Sequence, residues 1–139
     1  ILMGGCMEDL FDFVKPCAIE DGLKMAKIHW PGALTIILPT LGDVSETLNC
    51  NSNSIGFRVP DLRVARELLL QTGPLATTSA NISGKSPVKD ALEASIQFPG
   101  VPILGPLPWP SSSGMASTVI EWKGKAKWNL LRPGAVLLS

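Results

Sequence analysis

The polar segment 77–84, TTSANISG, combines four hydroxyl side chains, one amide and one glycine within eight positions. Hydroxyl and amide groups both donate and accept hydrogen bonds, so the segment could bind a polar ligand. It follows the short apolar run 74–76, and ligands of α/β sheets lie beyond the carboxyl ends of strands. An ordinary polar turn is the alternative, because serine, asparagine and glycine dominate turns.

Two arginines lie within or at the end of apolar segments. Arg58 interrupts the run 54–59, and Arg132 follows the run 128–131. Burying an unpaired guanidinium is costly, so each arginine must reach water, a carboxylate or an anionic ligand. The planar guanidinium fork suits phosphate and carboxylate oxygens. An ion pair of Arg58 with Asp61 or another acid, and a plain surface charge at Arg132, remain open alternatives.

Ser117 and Thr118 are further candidates, because they follow the Pro/Gly/Ser-rich loop 105–114. Their hydroxyls could face a ligand or could bond nearby backbone at a strand start. Other chemistries find little support. His29 is the sole histidine, and no Gly-Lys-Ser/Thr phosphate loop or GxGxxG segment is present. The three cysteines have no metal-ligand spacing.

Hydrophobic periodicity predicts the elements that must position these residues. Helices are expected over 8–14, 20–28, 62–71 and 88–98. Strands are expected over 34–38, 54–59, 75–78, 101–104, 117–121 and 128–131, and loops over 49–53 and 105–114. Strands alternate with helices through the middle of the chain, and its end is strand-rich. The prediction is therefore an α/β (mixed α+β) fold with a twisted open mixed β-sheet flanked by helices.

Composition predicts one globular domain over 1–139. The chain is 45% hydrophobic and 17% charged, and its formal net charge is zero, so overall charge gives no argument for nucleic-acid binding. No apolar run approaches the roughly 20 residues of a membrane helix. An odd number of cysteines argues against a disulfide framework and favours a reducing compartment, hence a cytoplasmic protein without membrane partners.

Five motifs follow one another along the chain from His29 onward. They are HWPGALT at 29–35, IGFRVPD at 55–61, SANISG at 79–84, ASTVIE at 116–121 and LRPGAV at 131–136. With these motifs the chain resembles the threonylcarbamoyl-AMP synthase family, the YrdC-like domain. No single motif is decisive, but their joint order from His29 to the end is specific.

The resemblance implies a YrdC-like fold and an adenylate-forming activity. Members of the family make L-threonylcarbamoyladenylate from L-threonine, bicarbonate and ATP, with release of pyrophosphate and with Mg²⁺ expected. The product serves threonylcarbamoyladenosine modification of tRNA through a downstream threonylcarbamoyl-transfer complex. By the same resemblance Arg58 and Arg132 are the catalytic residues. The implied ATP-binding residues are Ser54, Ser79, Ala80, Asn81 and Arg132. The implied threonine-binding residues are Arg58, Thr78, Ser117 and Thr118.

The chain also departs from the family pattern. The family has an upstream Pro-Thr-Asp-Thr motif and a Lys-x-Arg motif that contribute to threonine and ATP binding, and neither occurs before His29. Together with the start at Ile1, this predicts a domain that lacks its N-terminal part. Activity of the chain alone is therefore in question, and an organelle remains open, since a transit peptide would precede Ile1.

Two other functions remain as alternatives. A double-stranded RNA or tRNA-binding module of the same fold would show steep salt dependence of RNA binding, although the neutral charge weighs against it. A carbamoyl-transfer domain of hydrogenase maturation would be accompanied by zinc-finger and acylphosphatase-like segments, which this sequence does not contain.

Overall fold

One mixed sheet organises the computed structural model, which describes residues 1–48, 52–111 and 113–138. Its strands are β1 Leu2–Met3, β2 Leu34–Pro39, β3 Ser54–Arg58, β4 Leu75–Ala76, β5 Thr118–Trp122 and β6 Trp128–Arg132. They lie side by side in the order β4-β1-β3-β2-β5-β6. The pairs β1–β3 and β2–β5 are parallel, and the others are antiparallel. The predicted fold class, a mixed sheet with helices, is confirmed.

The helices are α1 Met7–Phe11, α2 Pro16–His29, α3 Gly42–Thr47, α4 Arg63–Thr72 and α5 Ala91–Gln97. Helix α2 begins with a proline, whose fixed φ suits the first helical turn and whose missing N–H would have no partner there. It ends where the backbone N–H of Trp30 donates to the carbonyl of Ala26 at 2.8 Å. A Trp-Pro-Gly turn then leads directly into β2.

The core lies between the sheet and helices α1 and α2. Alternate residues of β2, namely Leu34, Ile36 and Leu38, are fully buried on this face. Helix α2 comes very close at Gly22, where an added Cβ would lie 2.9 Å from the ring of Phe11 and 3.0 Å from Leu38. The helix-covered face of β2 is thus filled by apolar side chains, and the polar Thr35 of the same strand points to the other face.

Most predicted elements are confirmed, with shifted ends. The helix expected over 20–28 begins earlier, at Pro16, and the one expected over 88–98 begins at Ala91. Helix α5 begins at Ala91 because the carboxylate of Asp90 accepts from the backbone N–H of Glu93 at 2.8 Å and caps the helix. The strand expected over 101–104 is wrong, since these residues pair with no strand and follow a turn in which Val101 N–H donates to Phe98.

Some helices differ from the sequence predictions, and parts of two predicted loops lie outside the residues that the structure describes. Helix α3 was not predicted, because its sequence GDVSET has no clear apolar periodicity. The helix expected over 8–14 ends at Phe11, and Val14 instead bridges to Thr40. Residues 49–51 of the predicted loop 49–53, with Cys50, and residue 112 of the loop 105–114 lie outside the described residues.

The chain divides into two compact units. The first comprises Ile1–Thr77 with Ala116–Ser139 and contains the whole sheet, and the second is Thr78–Met115 with helix α5. The expectation of a single domain over 1–139 remains a prediction. Among the described residues, no helix is long and apolar enough to cross a membrane.

One carboxylate joins helix α2 to the β5–β6 hairpin. Asp21 Oδ2 accepts from the indole Nε1–H of Trp122 and from the backbone N–H of Ala126, both at 2.8 Å. At the hairpin tip, Lys125 and Ala126 have φ values of 49° and 56°, which non-glycine residues rarely adopt. The bond to Asp21 therefore helps to hold a strained turn. The bonds from Trp122 and then Ala126 lower the pKa of Asp21 below its ordinary value of 3.8.

The first prediction concerns this contact. Because the pKa of Asp21 is lower in the folded chain, its contribution to stability is complete above about pH 4 and is lost as pH falls through the folded-state pKa. Asp21→Ala should lower the melting temperature at pH 7, and the difference from wild type should shrink on acidification. Asp21→Asn is the control that keeps one oxygen acceptor and removes the charge. A difference that does not depend on pH would contradict the role of the charge.

Candidate substrate-binding site

The face of the sheet opposite the core gathers the polar candidates of the first unit. Ile37 pairs with Gly56 across β2–β3, Thr35 with Val119 across β2–β5, and Val119 with Arg132 across β5–β6. Paired residues share a face, and residues two apart along a strand share it too. The residues on this open face are Thr35, Gly56, Arg58 and Ser117. Arg132 joins them through its hydrogen bond to the Ser117 hydroxyl, since the β5–β6 register shifts after Val119.

Arg58 is held by backbone groups. Its Nε–H donates to the carbonyl of Gly32 at 2.8 Å, and Gly32 N–H donates to the carbonyl of Val59 at 2.9 Å. Gly4 N–H donates to the carbonyl of Arg58 itself at 3.1 Å. The Trp-Pro-Gly turn before β2 therefore fixes the direction of the side chain without neutralising it.

The charge of Arg58 is not balanced by an acid. No carboxylate of the described residues forms an ion pair with it, and the pairs present are Lys24–Glu20, Arg63–Glu67 and Lys123–Glu121. The ion pair with Asp61 that the sequence left open is absent. Burial, and in second place the positive charge of Arg132, lower the pKa of Arg58. The two guanidinium groups thus belong to one face of the sheet, in a setting that an anion would stabilise.

Arg132 is anchored to Ser117 by three hydrogen bonds. Its Nε–H and one Nη2–H donate to the carbonyl of Ser117 at 3.1 and 2.8 Å, and Nη2 also donates to the Ser117 hydroxyl at 3.0 Å. That hydroxyl lies 3.0 Å from the hydroxyl of Thr35, which is only 1% exposed. A continuous chain of hydrogen bonds therefore runs from Arg132 through Ser117 to Thr35.

Gly134 allows the segment after β6 to lie against the start of β5. Ala135 N–H donates to the carbonyl of Ala116 at 3.0 Å. A Cβ added to Gly134 would lie 2.5 Å from the carbonyl carbon of Ser117 and 2.6 Å from the nitrogen of Thr118, distances that real side chains do not tolerate. The glycine after Arg132 and Pro133 is thus part of what brings Arg132 to Ser117.

Thr118 points to the opposite face from Ser117. It is 1% exposed, its hydroxyl donates to the carbonyl of Val136 at 2.7 Å, and it accepts from Val136 N–H at 3.0 Å. The hydroxyl proton is therefore used to fasten the C-terminal segment, as the backbone-bonding alternative for this pair expected. Its implied threonine-binding role remains a prediction.

Ser54 begins β3 and shares the open face with Gly56 and Arg58, since the three alternate along one strand. Its backbone N–H donates to the hydroxyl of Ser52 at 3.2 Å, which ends the preceding turn. Its ATP-binding role remains a prediction.

The remaining candidates belong to the second unit. Thr78, Ser79 and Ala80 are exposed, and the amide of Asn81 donates to the carbonyls of Ile82 and Lys85, both at 3.1 Å. Ala80 accepts from Val88 N–H at 3.0 Å, and Gly84 has a φ of 78° that favours glycine. Asn81 therefore stabilises its own loop, and the nucleotide and threonine roles of these four residues remain predictions.

The sequence did not indicate which residues orient the side chains of Arg58 and Arg132. The carbonyls of Gly32 and Ser117 act through the backbone, so their residue types carry no direct signal. Gly134 could have been recognised, because a glycine two residues after a strand-terminal arginine indicates close backbone approach. Among the described residues, no group of three His, Cys, Asp or Glu side chains could hold a metal ion.

The open face therefore presents two positive groups, backbone carbonyls that fix them, and two linked hydroxyls. This arrangement can bind a ligand with several anionic oxygens, because guanidinium forks and hydroxyls complement carboxylates and phosphates. Residues 1–134 match the Sua5/YciO/YrdC family model, whose description is telomere recombination. The chain belongs to this family.

Curated relatives carry the name threonylcarbamoyl-AMP synthase. The protein of Serratia proteamaculans is 40% identical over 100 residues, covering 70% of this chain and 53% of the relative. That of Bacillus subtilis is 35% identical over 136 residues, covering 94% of this chain and 38% of the relative. The chain spans about half the length of the curated relatives it matches.

Two solved structures are similar to this chain in fold. P. abyssi Sua5, crystallised as a complex with L-threonine, matches with a TM-score of 0.82 and 31% identity, covering 96% of this chain and 39% of that protein. YciO of E. coli matches with a TM-score of 0.66 at 22% identity, over 96% of this chain and 64% of that one, and shares the fold.

The second prediction tests the close approach at Gly134. Gly134→Ala should destabilise the chain by about 1–3 kcal/mol, because the added methyl overpacks against the backbone of β5. Gly42→Ala is the matched control, since nothing lies within 4 Å of a Cβ there and alanine favours a helix. Urea unfolding of both variants measures the difference. Equal stability of the two variants would contradict the packing described here.

Proposed function

We propose that this chain forms the substrate-binding face of an L-threonylcarbamoyladenylate synthase, a nucleotidyltransferase acting on L-threonine, bicarbonate and ATP. The observation that carries the proposal is the pair Arg58 and Arg132, which share one sheet face and have no ion-paired carboxylate among the described residues. Membership in the family and the names of its curated relatives support the same reaction.

The reaction requires the carbon–nitrogen bond to form before the phosphorus is attacked. The ammonium group of L-threonine first loses a proton, and the resulting amine combines with bicarbonate, with loss of water, to give a carbamate. A carbamate oxygen then attacks the α-phosphorus of ATP, and the bond to pyrophosphate breaks. Every intermediate is anionic and no covalent enzyme intermediate is needed, so catalysis consists of positioning and charge stabilisation.

The residues divide between two substrates in this proposal. Arg58 neutralises the carboxylate or carbamate of the threonine moiety, with Ser117 as a further threonine contact on the same face, whereas Thr118 faces the core and fastens the C-terminal segment. For Thr78 the threonine-binding role is carried over from the resemblance to the family. Arg132 neutralises phosphate oxygens, because its planar fork suits them. Ser54, Ser79, Ala80 and Asn81 are the further ATP contacts. Mg²⁺ would accompany the phosphates, on which it is usually bound in nucleotide enzymes.

The product would serve threonylcarbamoyladenosine formation in tRNA, with a downstream transfer complex as the partner and the cytoplasm as the expected compartment. The need for a downstream enzyme follows from the reaction, because an acyl-adenylate is a reactive intermediate that a second enzyme must consume. The tRNA role and the compartment are carried over from the resemblance to the family.

Pyrophosphate release tests the proposal. The protein at its full natural length is incubated with ATP and Mg²⁺, with and without L-threonine and bicarbonate. Release that requires both substrates supports the proposal, and a silent protein would overturn it. The 139-residue chain alone, assayed in parallel, reports whether this part suffices.

The third prediction concerns Arg58 in the same assay. Arg58→Ala should lower kcat/KM by about 100-fold or more, because loss of a preorganised charge at a reacting group costs roughly this much. Arg58→Lys should recover only part of it, since lysine cannot keep the bond to Gly32 and present a fork. Arg63→Ala is the control, because Arg63 is an exposed helix residue paired with Glu67. Full activity of Arg58→Ala would contradict the assigned role.

A further inference from the structure

The hydroxyls of Thr35 and Ser117 form a buried pair next to Arg132. Their oxygens are 3.0 Å apart, and the two residues are 1% and 7% exposed. In the described part of the chain, neither hydroxyl has a carboxylate or a histidine as its hydrogen-bond partner. The only charged group bonded to the pair, among the described residues, is the guanidinium of Arg132.

The two hydroxyls have two protons, and the hydrogen bond between them uses only one. Arg132 can only donate, so the Ser117 oxygen accepts from Nη2. Of the two hydroxyl protons, one makes the bond between Thr35 and Ser117, and the other is left for a further acceptor. Ser117 is the more exposed of the two, so the arrangement in which Thr35 donates to Ser117 directs the spare proton toward the open face.

The side chain of Thr35 is held in the orientation that this arrangement needs. A Cβ added to Gly56 would lie 2.9 Å from the methyl group of Thr35, so the methyl lies close above the glycine. β-Branched side chains have few χ1 states, and fixing the methyl therefore fixes the hydroxyl. The missing side chain at position 56 thereby makes room for the Thr35 rotamer that faces Ser117.

We propose that Thr35 is a positioning residue, which orients the Ser117 hydroxyl so that it donates a hydrogen bond to an anionic oxygen of the threonine moiety. The inference rests on the proposed function and deepens it, since it assigns a role to a residue outside the implied site. The guanidinium of Arg132 polarises the Ser117 hydroxyl and strengthens it as a donor. The donor adds to the charge that Arg58 supplies on the same face.

The fourth prediction compares variants in the pyrophosphate assay. Thr35→Val keeps the shape and removes the hydroxyl, and it should raise KM for L-threonine about tenfold, the equivalent of one hydrogen bond. KM for ATP should change less than about twofold if the effect is confined to the threonine end. Thr35→Ser should restore most of the affinity for threonine. Thr40→Val is the matched control, because Thr40 is equally buried but bonds the backbone of Asn53.

A double-mutant cycle separates positioning from a general effect on structure. In a Ser117→Ala background, Thr35→Val should add less than about a twofold change, since its effect passes through Ser117. An undiminished tenfold effect in that background, or equal rises in KM for both substrates, would overturn the inference. If the wild type is active and the Thr35→Val variant has an unchanged KM for L-threonine, the inference on Thr35 is wrong but the proposed function stands. An inactive wild type would overturn the proposed function.

Gly56→Ala keeps the test decisive if Thr35→Val does not fold. This variant retains every hydroxyl but pushes on the Thr35 methyl, so KM for threonine should rise while Thr35 and Ser117 are both present. Circular dichroism confirms folding of each variant. A folded Gly56→Ala protein with unchanged KM for threonine would contradict the proposed control of the Thr35 orientation.

Discussion

The first unit must hold two guanidinium groups on one sheet face, and among the described residues neither has a carboxylate partner. Arg58 is half-buried and loses hydration, and the exposed Arg132 carries a like charge, so Arg58 would not stay in place without compensation. Backbone carbonyls orient both side chains: the carbonyl of Gly32 accepts a hydrogen bond from Arg58, and the carbonyl of Ser117 accepts one from Arg132. Carbonyl dipoles orient a guanidinium without neutralising its charge, which leaves the charge available to an anion.

This constraint explains why the turns around the sheet are as important as its strands. The turn at Gly32 must bring its carbonyl to β3, and the segment at Gly134 must lie on the backbone at the start of β5. Both positions require glycine, because a side chain would clash with the carbonyl of His29 at position 32 and with the backbone at the start of β5 at position 134. The apolar core on the other face, centred on β2, holds the strands in register so that these turns meet their targets.

The two units present different kinds of surface. The first unit holds the two arginines, Thr35 and Ser117 on a rigid sheet, whereas the second presents a loop that Asn81 stabilises from within. Rigid elements suit charge stabilisation, which needs fixed geometry, and loops suit contacts with a ligand that must enter and leave.

By itself the sequence determined the strands over 34–38, 54–59, 117–121 and 128–131, the helix of 62–71, and the polar motifs with their family. These depend on local periodicity and on residue type, which a single segment carries. It could not separate Ser117 from Thr118, or say whether Arg58 pairs with Asp61. Only the tertiary structure decided those points, because the face that a strand residue occupies follows from the register with its neighbours. The partners of a long side chain likewise come from segments distant in the chain, as Gly32 does for Arg58.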